Sequence, residues 1–89
     1  MASDVAERFG RNLFMCRRRA GFSQEALGRA AGLHRTELGL LEHGRRVPRI
    51  DTLVKLACSL TVPTDDLLDG IVWEGPGSSQ TGQFSIGGR

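Results

Sequence analysis

The chain has 89 residues, of which 39% are hydrophobic and 25% are charged, and its formal net charge is +2. This length is enough for one small domain with a single apolar core. Two cysteines are too few for a disulfide framework, and the sequence has neither a signal-peptide pattern nor an apolar run long enough to cross a membrane. We therefore expect a cytoplasmic protein with no membrane partner.

The charge is distributed unevenly along the chain. Residues 1–50 carry ten arginines and five acidic residues, whereas residues 51–89 carry two basic and five acidic residues. The first part therefore has a charge of +5 and the second a charge of −3. A local excess of positive charge favours contact with a polyanion, and the alternative is a basic face that is merely solvated.

The first predicted helix has Ser3 or Asp4 as its N-cap and is stopped by Gly21. Its apolar residues recur at intervals of three or four and so lie on one face: Val5, Phe9, Leu13, Cys16 and Ala20. Because Cys16 and Cys58 both lie on apolar helix stripes, we expect both thiols to be buried.

A second and a third helix follow in close succession. The second has Ser23 as its N-cap and ends at Gly32, which can adopt the left-handed C-cap conformation. The third runs from about Arg35 to Glu42 and is ended by Gly44. The apolar positions of the two helices are Ala26, Leu27 and Ala30 in the second, and Leu38 and Leu41 in the third. So short a connection makes the helices cross steeply, as in the unit that places a helix in a DNA groove.

Two more helices and a tail follow Pro48. The apolar stripe of the fourth helix consists of Ile50, Leu53, Leu56, Ala57 and Leu60. Thr64 caps a short fifth helix that ends at Gly70. The predicted fold class is therefore all-α, a five-helix bundle over residues 1–70 with a C-terminal tail over residues 71–89.

The tail alternates apolar and other residues with period two at two places, which predicts two short strands: Ile71 with Trp73, and Phe84 with Ile86. A lone two-stranded ribbon is marginal in water. It would therefore have to lie on the bundle or pair with the same segment of another subunit. A disordered tail is the alternative.

An ungapped series of residues gives the chain its family resemblance: Ser23, Gln24, Glu25, Leu27, Ala31, Gly32, Leu38, Leu41, Glu42, Gly44, Pro48, Leu53, Leu56 and Ala57. In this order they resemble the lambda-repressor-like, Cro-like DNA-binding family, also called the xenobiotic-response-element family, over about residues 8–69. The run from Gly32 to Thr36, and the arginine pair after Gly44, also resemble small bacterial regulators, including restriction–modification controller proteins.

The resemblance implies DNA-contacting roles at the start of the second and third helices. Arg35 and Thr36 would reach base edges in the major groove, where an arginine can donate two hydrogen bonds to guanine. Gln24 would meet a DNA phosphate at a helix N-terminus. Thr36 would touch a thymine methyl group or a phosphate. The alternative for Gln24 is an exposed polar side chain, and for Arg35 it is a phosphate contact or an exposed side chain.

Further phosphate contacts are implied at His34, Arg45 and Arg46, which flank the third helix. Cations at a helix C-terminus are favourable in any case, so a purely structural role for the two arginines is the alternative. His34 would also be the N-cap of the third helix, where serine or threonine is more usual.

The outward face of the third helix departs from the family pattern. Gly39 stands where a small polar residue is common, and Leu40 where a polar or basic one is common. At these two base-reading positions the chain offers only close backbone approach and apolar contact with thymine methyl groups. Glu37 would repel phosphates unless it accepts a hydrogen bond from a cytosine amine.

Arg17 and Glu42 match the family's paired arginine and glutamate, which link the first and third helices. The resemblance therefore implies a structural ion pair at these positions and no contact with DNA.

The histidines and cysteines lack the spacing of a metal site, and the chain has no catalytic triad pattern or phosphate-binding glycine loop. We therefore expect no enzyme activity, no metal, no cofactor and no small-molecule ligand.

Together these features predict a sequence-specific transcriptional regulator that binds double-stranded DNA of the nucleoid as a homodimer on a two-fold-related operator. The candidate dimer contacts are Leu67, Leu68, Ile71, Trp73 and Phe84. The alternative is a protein-interaction module on the same scaffold, such as an antitoxin or an adaptor. Leu40 and the apolar tail favour that alternative, and the basic first half opposes it.

Overall fold

The structure is a computed structural model and describes residues 4–77 and 81–87. Its elements, in chain order, are α1 (Asp4–Arg19), α2 (Gln24–Ala31), α3 (Arg35–Glu42), α4 (Ile50–Leu60), α5 (Thr64–Leu67), β1 (Ile71–Glu74) and β2 (Gln83–Ile86). The predicted five-helix bundle with a short strand-forming tail is confirmed. In these two ranges no helix is both long and apolar enough to cross a membrane.

Seven large side chains, drawn from all five helices, form the fully buried centre of the core. They are Phe9, Leu13, Leu27, Leu38, Leu41, Leu56 and Leu67. Removing a side chain of this size from water contributes about 1.5–3 kcal/mol. Because α2 contributes one of them and α3 two, the two central helices are held through the same core as the rest of the bundle.

Several predicted stripe positions lie outside this core. Ala20 and Ala30 are exposed, and Ile50 is 80% exposed at the first residue of α4. In α2 the buried face is formed by Leu27, Gly28 and Ala31. An alanine-rich pattern specifies a face poorly, because alanine loses little when it stays in water.

Two local predictions are wrong. Cys58 is exposed, although Cys16 is buried as expected. Thr64 is the first residue of α5 and not its cap, because Pro63 occupies the N-cap position and no side chain bonds the first turn there. Ser3, one of the two caps expected for α1, lies outside the described residues.

Close backbone contact sets the position of α3 against α1. A Cβ atom at Gly10 of α1 would lie 2.6 Å from the carbonyl oxygen of Glu42, so only glycine lets the end of α3 come so near. At the other side of α1, Asn12 Nδ2 donates to the carbonyls of Leu67, at 3.0 Å, and Asp69, at 2.9 Å. These bonds tie the end of α5 to α1.

The two strands form an antiparallel ribbon in which Ile71 pairs with Ile86 and Trp73 with Phe84. Ile71 packs on the core, and Gly87 N donates to Gly70 O at 2.8 Å, so the base of the ribbon is joined to the bundle. Within the described part of the tail, the expected strands are therefore formed and the disordered alternative is wrong. The division of the chain at residue 70 stays a prediction.

Candidate nucleic-acid interface

The connection between α2 and α3 is a compact turn fixed by backbone contacts. Gly32 adopts φ = 70°, the left-handed conformation expected of it, and caps α2. Leu33 N donates to Gly28 O at 2.7 Å, and a Cβ at Gly28 would lie 2.5 Å from Leu33 O. At the start of α2, Ser23 accepts a hydrogen bond from Ala26 N at 3.0 Å. The angle between the two helices is thus set by their own backbones.

One face of α3 is buried and the other is open. Leu38 and Leu41 are fully buried in the core. Arg35 and Thr36, in the first turn, are exposed, whereas the base-reading candidates Gly39 and Leu40 are half-buried, as is Glu37. A Cβ at Gly39 would meet no atom within 4 Å, so this position has open space in front of it.

A histidine lies at each end of α3. His34 is the N-cap, and its Nδ1 accepts a hydrogen bond from Thr36 N at 3.1 Å. Since a ring nitrogen that accepts carries no proton, the proton of neutral His34 is on Nε2. At the other end, His43 Nδ1 donates to Gly39 O at 2.7 Å. Both histidines are exposed residues.

Arg17 and Glu42 form a buried ion pair between α1 and α3, as the sequence led us to expect. Arg17 donates from Nε and Nη2 to the two carboxylate oxygens of Glu42, and only 9% and 4% of the two side chains are exposed. Arg17 Nη1 also donates to Phe22 O at 2.9 Å. Among the described residues no buried side-chain nitrogen or oxygen lacks a hydrogen-bond partner, and such a bidentate pair is expensive to break from one side.

Gln24 takes part in the same network. Its Nε2 donates to Glu42 Oε1 at 3.0 Å, so the side chain expected to face a DNA phosphate bonds the ion pair of the fold. Gln24 is half-buried and is the first residue of α2, so it lies at the N-terminus of that helix. The sequence held no signal for this bond, because Gln24 and Glu42 meet only when α2 and α3 have packed.

A second contact missed from the sequence joins Glu25 of α2 to Arg35 of α3. The Arg35 Nη1 and Glu25 Oε2 atoms are 3.5 Å apart, and about two thirds of each side chain is exposed, at 65% and 62%. The opposite charges of the two residues were visible in the sequence. Their proximity depended on the crossing of the two helices.

Arg45 and Arg46 follow α3 in a loop whose backbone is fixed. Arg45 N donates to Leu40 O at 2.9 Å, and Gly44, at φ = 71°, packs against Glu7 of α1. The side chains of both arginines are exposed, and neither has an ion-pair partner among the described residues. Arg35 and Thr36 at the start of α3 are exposed as well, and we call these four exposed residues, two at each end of the helix, the α3 surface.

The five dimer candidates separate into two groups. Leu67 is fully buried in the core, so its prediction as an interface residue is wrong. The spacing of a short helix could not show which of two adjacent leucines faces inward. Ile71 is half-buried and packs on the core, whereas Leu68, Trp73 and Phe84 are exposed.

Cys16 is a buried free thiol on α1. Burial raises the pKa of Cys16 above its usual value, although the nearby charge of Arg19 lowers it. No group of three or more candidate metal ligands occurs in the described ranges.

The helix-turn-helix geometry of α2 and α3 agrees with comparison to known proteins. A model of the helix-turn-helix family matches residues 13–67. This chain belongs to that family. The match contains α2, α3 and the ion pair, and it ends before the ribbon. The family consists of transcriptional regulators and not of enzymes.

Known relatives match about two thirds of the chain or slightly more. A prophage-derived helix-turn-helix regulator of Bacillus subtilis, YonR, is 40% identical over 62 residues, which are 70% of this chain and 57% of that protein. This chain therefore matches little more than half the length of its curated relative. The restriction–modification controller protein C.AhdI of Aeromonas hydrophila is 34% identical, with a TM-score of 0.68, over 70% of this chain and 94% of that one. The biofilm regulator SinR, solved in complex with DNA, is 29% identical, with a TM-score of 0.66, over 68% and 98% of the two chains.

Proposed function

We propose that this protein is a sequence-specific transcriptional regulator that places α3 in the major groove of double-stranded DNA. The observation that carries the proposal is the α3 surface. Leu38 and Leu41 anchor one side of α3 in the core, and the opposite side begins with exposed Arg35 and Thr36. A helix held in this way can enter a groove without rearranging the fold.

Within this proposal, Arg35 and Thr36 read base edges, with Gly39 and Leu40 offering backbone approach and apolar contact. Arg45 and Arg46 bind phosphates from the loop after α3. His34 keeps Nδ1 on the helix cap and has an Nε2 proton to donate to a phosphate. Gln24 contributes through the N-terminus of α2, since its amide already bonds Glu42. SinR, a similar structure solved in complex with DNA, supports DNA as the partner of this chain.

The test is fluorescence anisotropy of the protein with a labelled random-sequence duplex at about 50 mM and about 200 mM salt. We expect binding that weakens steeply with salt, because basic side chains displace counterions from the phosphates. Replacing Arg46 with alanine reduces the salt slope by about 1, whereas Arg35→Ala relaxes base preference and costs about 1–3 kcal/mol on a selected site. Absence of binding at low salt contradicts the proposal and favours the protein-interaction module.

We further propose that the regulator binds a two-fold-related operator as a homodimer. A single small module buries only about 600–1,000 Å² of protein surface on DNA, and two copies place their recognition helices about 34 Å apart. The exposed Leu68, Trp73 and Phe84 support an interface on the ribbon and the end of α5, since large apolar groups at such exposure are typical of binding surfaces.

Light scattering of the full chain tests the homodimer. We expect a dimer for the wild type and a folded monomer when Trp73 and Phe84 are both replaced by serine. Val72→Thr is the matched control, because Val72 is equally exposed but lies on the opposite face of β1. If the wild type is a monomer, the homodimer proposal is contradicted. If the double variant is still a dimer, the ribbon does not form the dimer interface.

A further inference from the structure

The ion pair between Glu25 and Arg35 joins the first turns of the two central helices. Arg35 Nη1 lies 3.5 Å from Glu25 Oε2, and both side chains are mostly in solvent. Arg35 therefore has a carboxylate beside it at the position from which it would meet DNA. Glu25 is also an acid on a part of the chain that otherwise carries an excess of arginine.

This pair does not hold the helices together. The turn is fixed by the bond from Leu33 N to Gly28 O, by the left-handed Gly32 and by the burial of Leu27 and Leu38. An exposed ion pair adds little to stability beside such contacts, because water screens both charges. Because the turn is held without this pair, Glu25 is available for another role.

A carboxylate at this place has two effects on binding. It limits the orientations of the Arg35 guanidinium, which is otherwise a long, flexible side chain able to bond any nearby phosphate. It also repels phosphates, so that contact with the DNA backbone alone is weakened. Only an acceptor that matches the guanidinium well, such as the O6 and N7 pair of guanine, replaces the carboxylate without loss.

We propose that Glu25 is a specificity-determining residue that positions Arg35 and penalises binding to DNA of the wrong sequence. This inference rests on the proposed function of the α3 surface. Glu25 acts through Arg35 and not by its own contact with a base. Its removal is therefore expected to strengthen non-specific binding while discrimination falls.

The experiment compares the Kd for an operator selected from a random duplex pool with the Kd for a scrambled duplex of the same composition. The full-length variants are Glu25→Gln, Arg35→Ala and the double variant. We expect Glu25→Gln to bind the scrambled duplex about two- to fivefold more tightly, the range set by an exposed ion pair, with a smaller gain on the operator. The ratio of the two Kd values then falls. In the Arg35→Ala background, Glu25→Gln raises both affinities alike and leaves the ratio unchanged.

Asp51→Asn is the matched control. Asp51 forms a pair with Arg49 that is also mostly exposed, at 3.4 Å between Arg49 Nε and Asp51 Oδ1, but it lies at the start of α4. Its loss is expected to leave the ratio unchanged. A melting temperature of Glu25→Gln within about 2 °C of the wild-type value shows that the fold is retained.

An unchanged ratio in Glu25→Gln overturns the role of Glu25 while the DNA-binding function stands. A fall in the ratio that also occurs without Arg35, or in Asp51→Asn, overturns it as well, because the effect then comes from net charge. No binding of the wild type to any duplex overturns the proposed function and this inference together.

Discussion

The α2–α3 unit and the C-terminal ribbon differ in the burial of their large apolar side chains. In the unit, Leu27, Leu38 and Leu41 are fully buried, and the exposed positions are mainly polar. In the ribbon, Trp73 and Phe84 pair edge to face with ring centroids 5.1 Å apart, yet remain 55% and 51% exposed. The α2–α3 unit buries its large apolar side chains within the domain, and the groups that it exposes to a partner are mainly polar or charged. The ribbon offers apolar surface, and so suits a different kind of partner.

The largest expected effect lies in the ion pair that holds the unit to α1. Arg17→Ala leaves the Glu42 carboxylate buried with only the bond from Gln24, which is expected to lower the free energy of unfolding by about 3–5 kcal/mol. Urea unfolding measures this change. Replacing Arg17 and Glu42 together by leucines is the control, and it is expected to destabilise less than the single change. A loss below about 1 kcal/mol for Arg17→Ala would show that the pair is not needed to hold α3.

A second contrast is between two helical glycines with opposite surroundings. Gly10→Ala forces a Cβ against the backbone of α3 and is expected to destabilise the fold by about 1–3 kcal/mol. Gly39→Ala points into open space and is expected to stabilise α3 by up to about 1 kcal/mol. Chemical unfolding of both variants provides the check. A Gly10→Ala variant as stable as the wild type would mean that α1 and α3 do not approach as closely as described.

For the ribbon, Phe84→Ala is expected to change the stability of the monomer by only about 0.5–1.5 kcal/mol, the worth of the aromatic pair with Trp73. If the ribbon forms the dimer contact, the melting temperature of the wild type rises with protein concentration and that of Phe84→Ala does not. Calorimetry at two concentrations measures both. A wild-type melting temperature that does not change with protein concentration would show that the exposed rings of Trp73 and Phe84 do not mediate self-association.

The smallest effect concerns the two thiols, whose different burial reports the packing of the bundle. Cys58 is expected to react at once with a thiol reagent, whereas Cys16 reacts slowly because it is buried. The thiolate is the reactive form, and burial raises the pKa of Cys16, so its labelling accelerates only at higher pH than that of an ordinary thiol. Equal labelling rates at neutral pH would indicate that the face of α1 containing Cys16 opens readily.

Much of the fold followed from local patterns. The caps at Ser23 and Gly32 and the buried Leu38 and Leu41 were predictable, because capping and helical periodicity are properties of neighbouring residues. The pattern of Leu67 and Leu68 was ambiguous, since a helix of four residues has too few positions to define a face.

The site was less predictable than the fold. The exposed residues of α3 could be chosen from the helix period and from the family resemblance. The bonds from Gln24 to Glu42 and from Glu25 to Arg35 could not, because each joins residues of different helices whose distance depends on packing.

The sequence by itself determined the helices, the tight turn between α2 and α3, the concentration of arginine in the first half and the family. Only the tertiary structure decided that Leu67 belongs to the core, that Trp73 and Phe84 stay exposed, and that Glu25 reaches Arg35. The physical reason is the range of the interactions. Helix capping, hydrophobic periodicity and net charge depend on residues that are close in sequence. Burial and ion pairing depend on contacts between elements that are distant in sequence and meet only in the folded protein.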